Sequence, residues 1–99
     1  MSLAEITEKM RSRVGDSAGL GKSVKFDFGD DGIVRIDDTG SPAVVDNQDL
    51  PVDCTVKVSM SDFLDIVDGT TNPQMAFMTG KLKVEGDMSV ALQLGKVLG

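Results

Sequence analysis

The side chains that carry most protein chemistry are scarce in this sequence. It has no histidine and one cysteine, Cys54, so there is no imidazole to act as general base or metal ligand, and no internal disulfide can form. Cys54 alternates with Val52, Val56 and Val58, which places it on the inward face of a valine strand with no base to take its proton; it reads as a structural thiol. Asp27-Phe28-Gly29 spells the metal motif of protein kinases, but neither the glycine-rich loop nor the His-Arg-Asp segment accompanies it, and the tripeptide reads as a strand running into a turn. Asp30, Asp31, Asp37 and Asp38 crowd one hairpin. Their spacing is not that of a calcium loop, and aspartate is a common turn former. No catalytic residue, metal or cofactor is expected.

Lys plus Arg is 10 against 16 Asp plus Glu, a net charge of −6 over 99 residues. At long range such a chain is repelled by phosphodiesters and anionic headgroups, so nucleic acid is not an expected partner. A chain of this length has room for one modest core, and residues 1–99 are read as a single domain. The longest apolar run, Met75 to Met78, is far shorter than the roughly 20 residues of a membrane-spanning helix, so at most transient membrane contact is expected.

The elements that position these residues follow from periodicity. Ser2 and Glu5 have capping-box spacing, and Leu3, Ile6, Met10 and Val14 recur at helical intervals up to Gly15, predicting an amphipathic helix over 3–14. Val24, Phe26 and Phe28 alternate with Lys25 and Asp27, then Gly29 to Gly32 turns the chain into a strand over 33–37. Ala43-Val44-Val45 is a short edge strand, which completes a meander. Val52 to Val58 alternates most cleanly, so its sheet has one dry and one wet face. Ser59 caps a short helix over 60–68, Asn72 with Pro73 opens another over 73–79, Lys81 to Glu85 alternates again, and Gly86-Asp87 introduces a last helix from Met88 to about Leu98. The order is α-β-β-β-β-α-α-β-α. It predicts an α+β fold, a five-stranded mainly antiparallel sheet covered on one face by helices.

On the last helix Ser89, Gln93 and Lys96 share a narrow arc, while Met88, Val90, Ala91, Leu92, Leu94, Val97 and Leu98 spread over more than half the circumference, beyond the stripe a surface helix needs. Such a helix needs two apolar neighbours: the sheet, and a second helix, a partner chain or a bound apolar molecule. Met60, Met75, Met78 and Met88 give the helical layer adaptable thioether side chains, which suit a deformable pocket or simply fill gaps in a small core.

From Asp53 onward a set of pieces falls in a telling order: the strand Asp53-Cys54-Thr55-Val56-Lys57-Val58, the helix Ser61-Asp62-Phe63-Leu64, the segment Asn72-Pro73-Gln74-Met75-Ala76-Phe77-Met78, the run from Gly80 through Leu82, Val84 and Gly86 to Met88, and the closing Ala91-Leu92-Gln93-Leu94. In this the chain resembles the sterol carrier protein type 2 family. The resemblance implies a non-enzymatic carrier with an apolar tunnel between sheet and helices, holding a sterol, fatty acid, acyl-CoA or phospholipid. Carried over by position, the tunnel would involve Phe63, Leu64 and Val67, then Met75, Phe77 and Met78, then Leu82 and Val84, closed by Met88, Ala91, Leu92 and Leu98. Gln74, Gln93, Arg11 and Arg13 are the headgroup candidates. The ending Val97-Leu98-Gly99 lacks a peroxisomal address of Ser-Lys-Leu type, so a cytoplasmic setting is expected. The competing reading is a protein interaction or oligomerisation module, in which the apolar face of the last helix is buried against another subunit, a homodimer being one such arrangement.

Overall fold

A computed structural model describes residues 2–15, 19–40 and 42–93. Ser2 accepts a hydrogen bond from Glu5 N–H while the Glu5 carboxylate accepts one in return from Ser2 N–H, and this capping box opens α1, Leu3–Val14. The strands are β1 Ser23–Asp27, β2 Ile33–Asp37, β3 Val44–Asp46, β4 Cys54–Val58 and β5 Leu82–Gly86. A single turn of 3-10 helix, Gly29–Asp31, joins β1 to β2. The remaining helices are α2 Met60–Val67, α3 Pro73–Met78 and α4 Met88–Gln93. Ser59 caps α2 through Asp62 N–H, and Asn72 caps α3 through Gln74 N–H with Pro73 in the first turn, so the caps read from sequence stand where they were expected. The expected continuation of the last helix to Leu98 lies outside the described residues.

The five strands form one sheet in the order β3-β2-β1-β4-β5. Three of its pairings are antiparallel; the central one, β1 with β4, is parallel, with Val24 opposite Cys54 and Phe26 opposite Val56. Parallel neighbours need a crossover, and here the chain between β3 and β4 supplies it across the polar face. Lys25, on that face, donates from Nζ to Asp49 (2.7 Å) and to the Leu50 carbonyl (3.3 Å) as the segment passes. Arg35 beside it grips Asp46 with two donors. Burial by itself raises the Asp46 pKa, but the Arg35 fork and Gln48 N–H outweigh it and hold the carboxyl below its ordinary value. Asp37 and Asp38 are also occupied: Asp37 by Arg35 and Thr39, Asp38 by the N–H groups of Leu20 and Gly21. The acidic hairpin is thus built into turns.

On the opposite face Val24, Phe26, Val34, Ile36, Val56 and Val58 meet Ile6, Met10 and Val14 of α1 and Phe63, Ile66 and Val67 of α2 in one core. Phe63 stacks on Phe26 and Phe28 with ring centroids 5.1 and 5.0 Å apart, within the favourable range for tilted aromatic pairs. Cys54 lies in this core, 1% exposed. Burial pushes its thiol pKa up, so it stays a protonated, inert packing group.

Candidate functional site

At the β5 edge of the sheet the core gives way to a cavity of about 590 Å³, lined by Asn72, Pro73, Gln74, Phe77 and Met78 from α3 and its cap, Leu82 and Val84 from β5, and Met88, Ala91 and Leu92 from α4. The local sequence explains each wall. Among the described residues only Ala76 is buried in α3 and only Val90 in α4, so the larger side chains of both helices are left to line the cavity or stand exposed. On β5 the period of two turns Leu82 and Val84 toward the helices and Lys83 and Glu85 away. The cavity falls within the usual 300–1,000 Å³ range of small-molecule sites.

The α4 wall is pinned at its start. Asp87 N–H donates to the Asp53 carbonyl (2.8 Å), and the Asp87 carboxylate accepts from Lys22 and from both N–H and Oγ of Ser89. These partners, Lys22 foremost, hold the Asp87 carboxyl well below the usual carboxylate range. Asp53 in turn accepts from Ser23 N–H and Oγ, so the origin of α4 is tied to the starts of both β1 and β4. Gly86 sits in the crowded corner with φ +97°, where a Cβ would run into the Asp53 carbonyl oxygen.

The structure therefore gathers Gln74, Phe77, Met78, Leu82, Val84, Met88, Ala91 and Leu92 around one void. Phe63 and Val67 stand elsewhere, 1% and 7% exposed in the core, and Leu64 packs against that core. Met75 is exposed on α3 outside the lining, and Gln93 is half-buried outside it. Arg11 donates to the Val45 carbonyl (2.8 Å) and Arg13 to the Val67 carbonyl (3.2 Å). Both belong to α1, which packs over β2 and β3 at the other side of the sheet from β5. Leu98 lies outside the described residues. Sequence reasoning did not put Asn72 and Pro73 in the lining; it read them as a helix start. The signal was available, since the first turn of a helix that flanks a cleft must itself border it.

The fold is an α+β domain, a mixed sheet with helices on its dry face and an apolar cavity at one edge, and comparison with known proteins places it in a family. The pattern of the SCP-2 sterol transfer family matches residues 5–99, and the chain belongs to that family. It is 46% identical over 55 residues to sterol carrier protein 2 of Homo sapiens, a stretch covering 56% of this chain and 10% of the human protein; the chain thus spans about a tenth of that relative. Non-specific lipid-transfer protein-like 1 of Caenorhabditis elegans is 29% identical over 102 residues, covering 94% of this chain and 86% of the worm protein. The solution structure of palmitated sterol carrier protein 2-like 2 of Aedes aegypti superposes with a TM-score of 0.70 at 25% identity, covering 99% of this chain and 95% of that one. Among the described residues no helix is long and apolar enough to cross a membrane.

Proposed function

We propose that the chain, acting as one domain over residues 1–99, is a non-enzymatic carrier that binds a lipid and transfers it within the cytoplasm. The ligand's hydrocarbon would occupy a tunnel between sheet and helices, entered at the cavity between α3, β5 and α4. The observation that carries the reading is that cavity and its lining, apolar except for the Asn72 and Gln74 amides. Family membership supports it, as does the palmitate held by the Aedes relative. Burying a methylene is worth about 0.8 kcal/mol, so about ten of them supply on the order of 8 kcal/mol, the free energy of a micromolar complex before entropic costs. The two amides orient an oxygen-bearing headgroup at the mouth, and a fatty acid, sterol, acyl-CoA or phospholipid all present such an end. Among the described residues no side chain on the cavity wall is a nucleophile or a general base, which fits carriage without bond making.

The test is a binding panel. Delipidated protein titrated with a fluorescent fatty acid should saturate, and sterol or phospholipid should displace the probe. Failure to take up any of the three refutes carriage. A second reading, association of two copies through the same face, is favoured by one observation, the 78% and 77% exposure of Met78 and Leu92. It requires a dimer in solution that Leu92→Asp dissociates without altering any lipid signal.

A further inference from the structure

A second cavity, of about 380 Å³, lies where the two parallel strands end. β1 leaves it through Asp27 and Phe28 into the turn toward β2, and β4 leaves it through Val58 and Ser59 into α2. Because the chain departs from the two strands in different directions, a crevice stays open beyond their carboxyl ends, the place where open sheets with parallel strands hold their ligands. The third wall is the start of β5. There the period of two gives Lys81 and Lys83 to this crevice, and Leu82 and Val84 to the apolar cavity, so the two spaces share a strand but no lining residue.

Positive charge is gathered here in a chain whose net charge is −6. Lys57, Lys81 and Lys83 line the crevice against one carboxylate, Asp27. Asp27 Oδ1 is engaged within its own turn, accepting from Gly29 N–H at 2.8 Å. Lys57 stands 3.4 Å from Glu85, but both partners are exposed, and a pair of that kind contributes little in water. The side chains of Lys81 and Lys83 have no ion pair or hydrogen bond among the described residues. Lys83 faces Lys57 directly across the β4–β5 register, a like-charge juxtaposition that costs stability and that a bound anion relieves. Phe28 and Val58, 5% and 6% exposed, add an apolar surface beside the ammonium groups.

We propose that this crevice binds a compact organic phosphate, with Lys57, Lys81 and Lys83 around the phosphate oxygens and Phe28 and Val58 against the organic part. Lysine serves phosphate as a point charge on a flexible stem, so three of them can close on one group from different strands. The acidic remainder of the molecule selects for size. An extended polyanion or a charged surface meets that repulsion over its whole length, whereas a small dianion or trianion fits inside the cationic crevice and escapes most of it. The site is separate from the lipid cavity and does not depend on the carrier reading.

The full chain, isotopically labelled on nitrogen, is titrated with pyrophosphate and with ADP while its amide resonances are followed. Both probes should give saturable shifts confined to residues 27–29, 57–59 and 80–83, which border the crevice, and the affinity should fall with added salt. Lys81→Gln with Lys83→Gln should weaken both about tenfold or more, and Lys9→Gln on α1 should stay within about twofold. The dispersion of each variant's spectrum reports folding, and the wild-type shift map decides the matter if the double variant unfolds. Filling the apolar cavity with fatty acid should leave the ADP affinity within about twofold, because the two linings are distinct. Displacement of ADP by fatty acid would assign the phosphate to the lipid's own site and overturn a separate one. Saturation by pyrophosphate but not ADP overturns the organic ligand. Shifts that never saturate, scatter over the surface or ignore the two lysines reduce the effect to charge screening and overturn the site. Binding of ADP by a chain that takes up no fatty acid upholds the site while the carrier reading falls.

Discussion

Phe26, Phe28 and Phe63 in one part of the molecule, and Phe77, Met78 and Leu92 in another, are comparably apolar, yet none of the first three is more than 5% exposed whereas the others stand 46%, 78% and 77% exposed. The difference lies in how the covering helices are anchored. α2 buries Phe63, Ile66 and Val67 together, and Phe63 packs against the rings of Phe26 and Phe28. Among the described residues α3 and α4 each bury a single side chain, Ala76 and Val90. Their larger residues line the cavity instead, Phe77 and Met78 from α3 and Met88 and Leu92 from α4. One sheet face is thus divided into a closed part that supplies stability and an open part available to a ligand.

Breaking the closed part should have the largest effect. Phe63→Ala removes the ring shared by Phe26 and Phe28 and should cost about 3–5 kcal/mol in urea unfolding, with lipid uptake per folded molecule unchanged; a loss of uptake without a loss of stability would erase the division. Gly86→Ala joins the two regions, because a Cβ there collides with the Asp53 carbonyl at the root of α4. It should cost about 1–3 kcal/mol and also weaken uptake, read by the same titration. In the open part, Leu92→Asp should leave stability within about 0.5 kcal/mol and weaken fatty-acid binding about tenfold, a shift of about 1.4 kcal/mol; an equally large fall in stability would mean Leu92 is core.

The gentlest probe is acid. Asp87, held by Lys22 and Ser89, and Asp37, held by Thr39, both titrate below their ordinary value in the folded chain. Below about pH 4 the unfolded chain therefore binds more protons than the folded one, and the stability these groups contribute, fully present above that point, is lost as pH falls through their folded-state values. Denaturation curves at pH 5 and pH 3 should show wild type losing stability and Asp87→Asn losing less.

Most of the architecture was legible because periodicity and caps agreed. The brief β3 was read as an edge and is one, and Ser2, Ser59 and Asn72 cap the helices they precede. The parallel union of β1 with β4 was not legible. Alternation reports which way side chains face but not which strand lies alongside, and that choice depends on contacts such as Ser23 with Asp53 that no local pattern encodes. The candidate site was legible on β5, α4 and half of α3, where the resemblance and the apolar pattern coincide. It was not legible for Phe63, which suits a lining as well as a core; only the rings of Phe26 and Phe28, distant in sequence, draw it inward. Arg11 and Arg13 looked available for a headgroup because a sequence does not show backbone carbonyls, and those of Val45 and Val67 hold them instead.

The parallel pairing also bears on the order of assembly. Ser23 and Asp53 meet across a sequence separation of thirty, whereas β1, β2 and β3 join through short local connections, so closing the seam with β4 carries the larger loop-closure entropy. On the ribosome, the leading part can zip up while the greasy trailing helices are still being made. Within residues 1–99 the walls of the cavity follow the β1–β3 meander in chain order, so a nascent chain can close the meander before it can enclose a hydrocarbon.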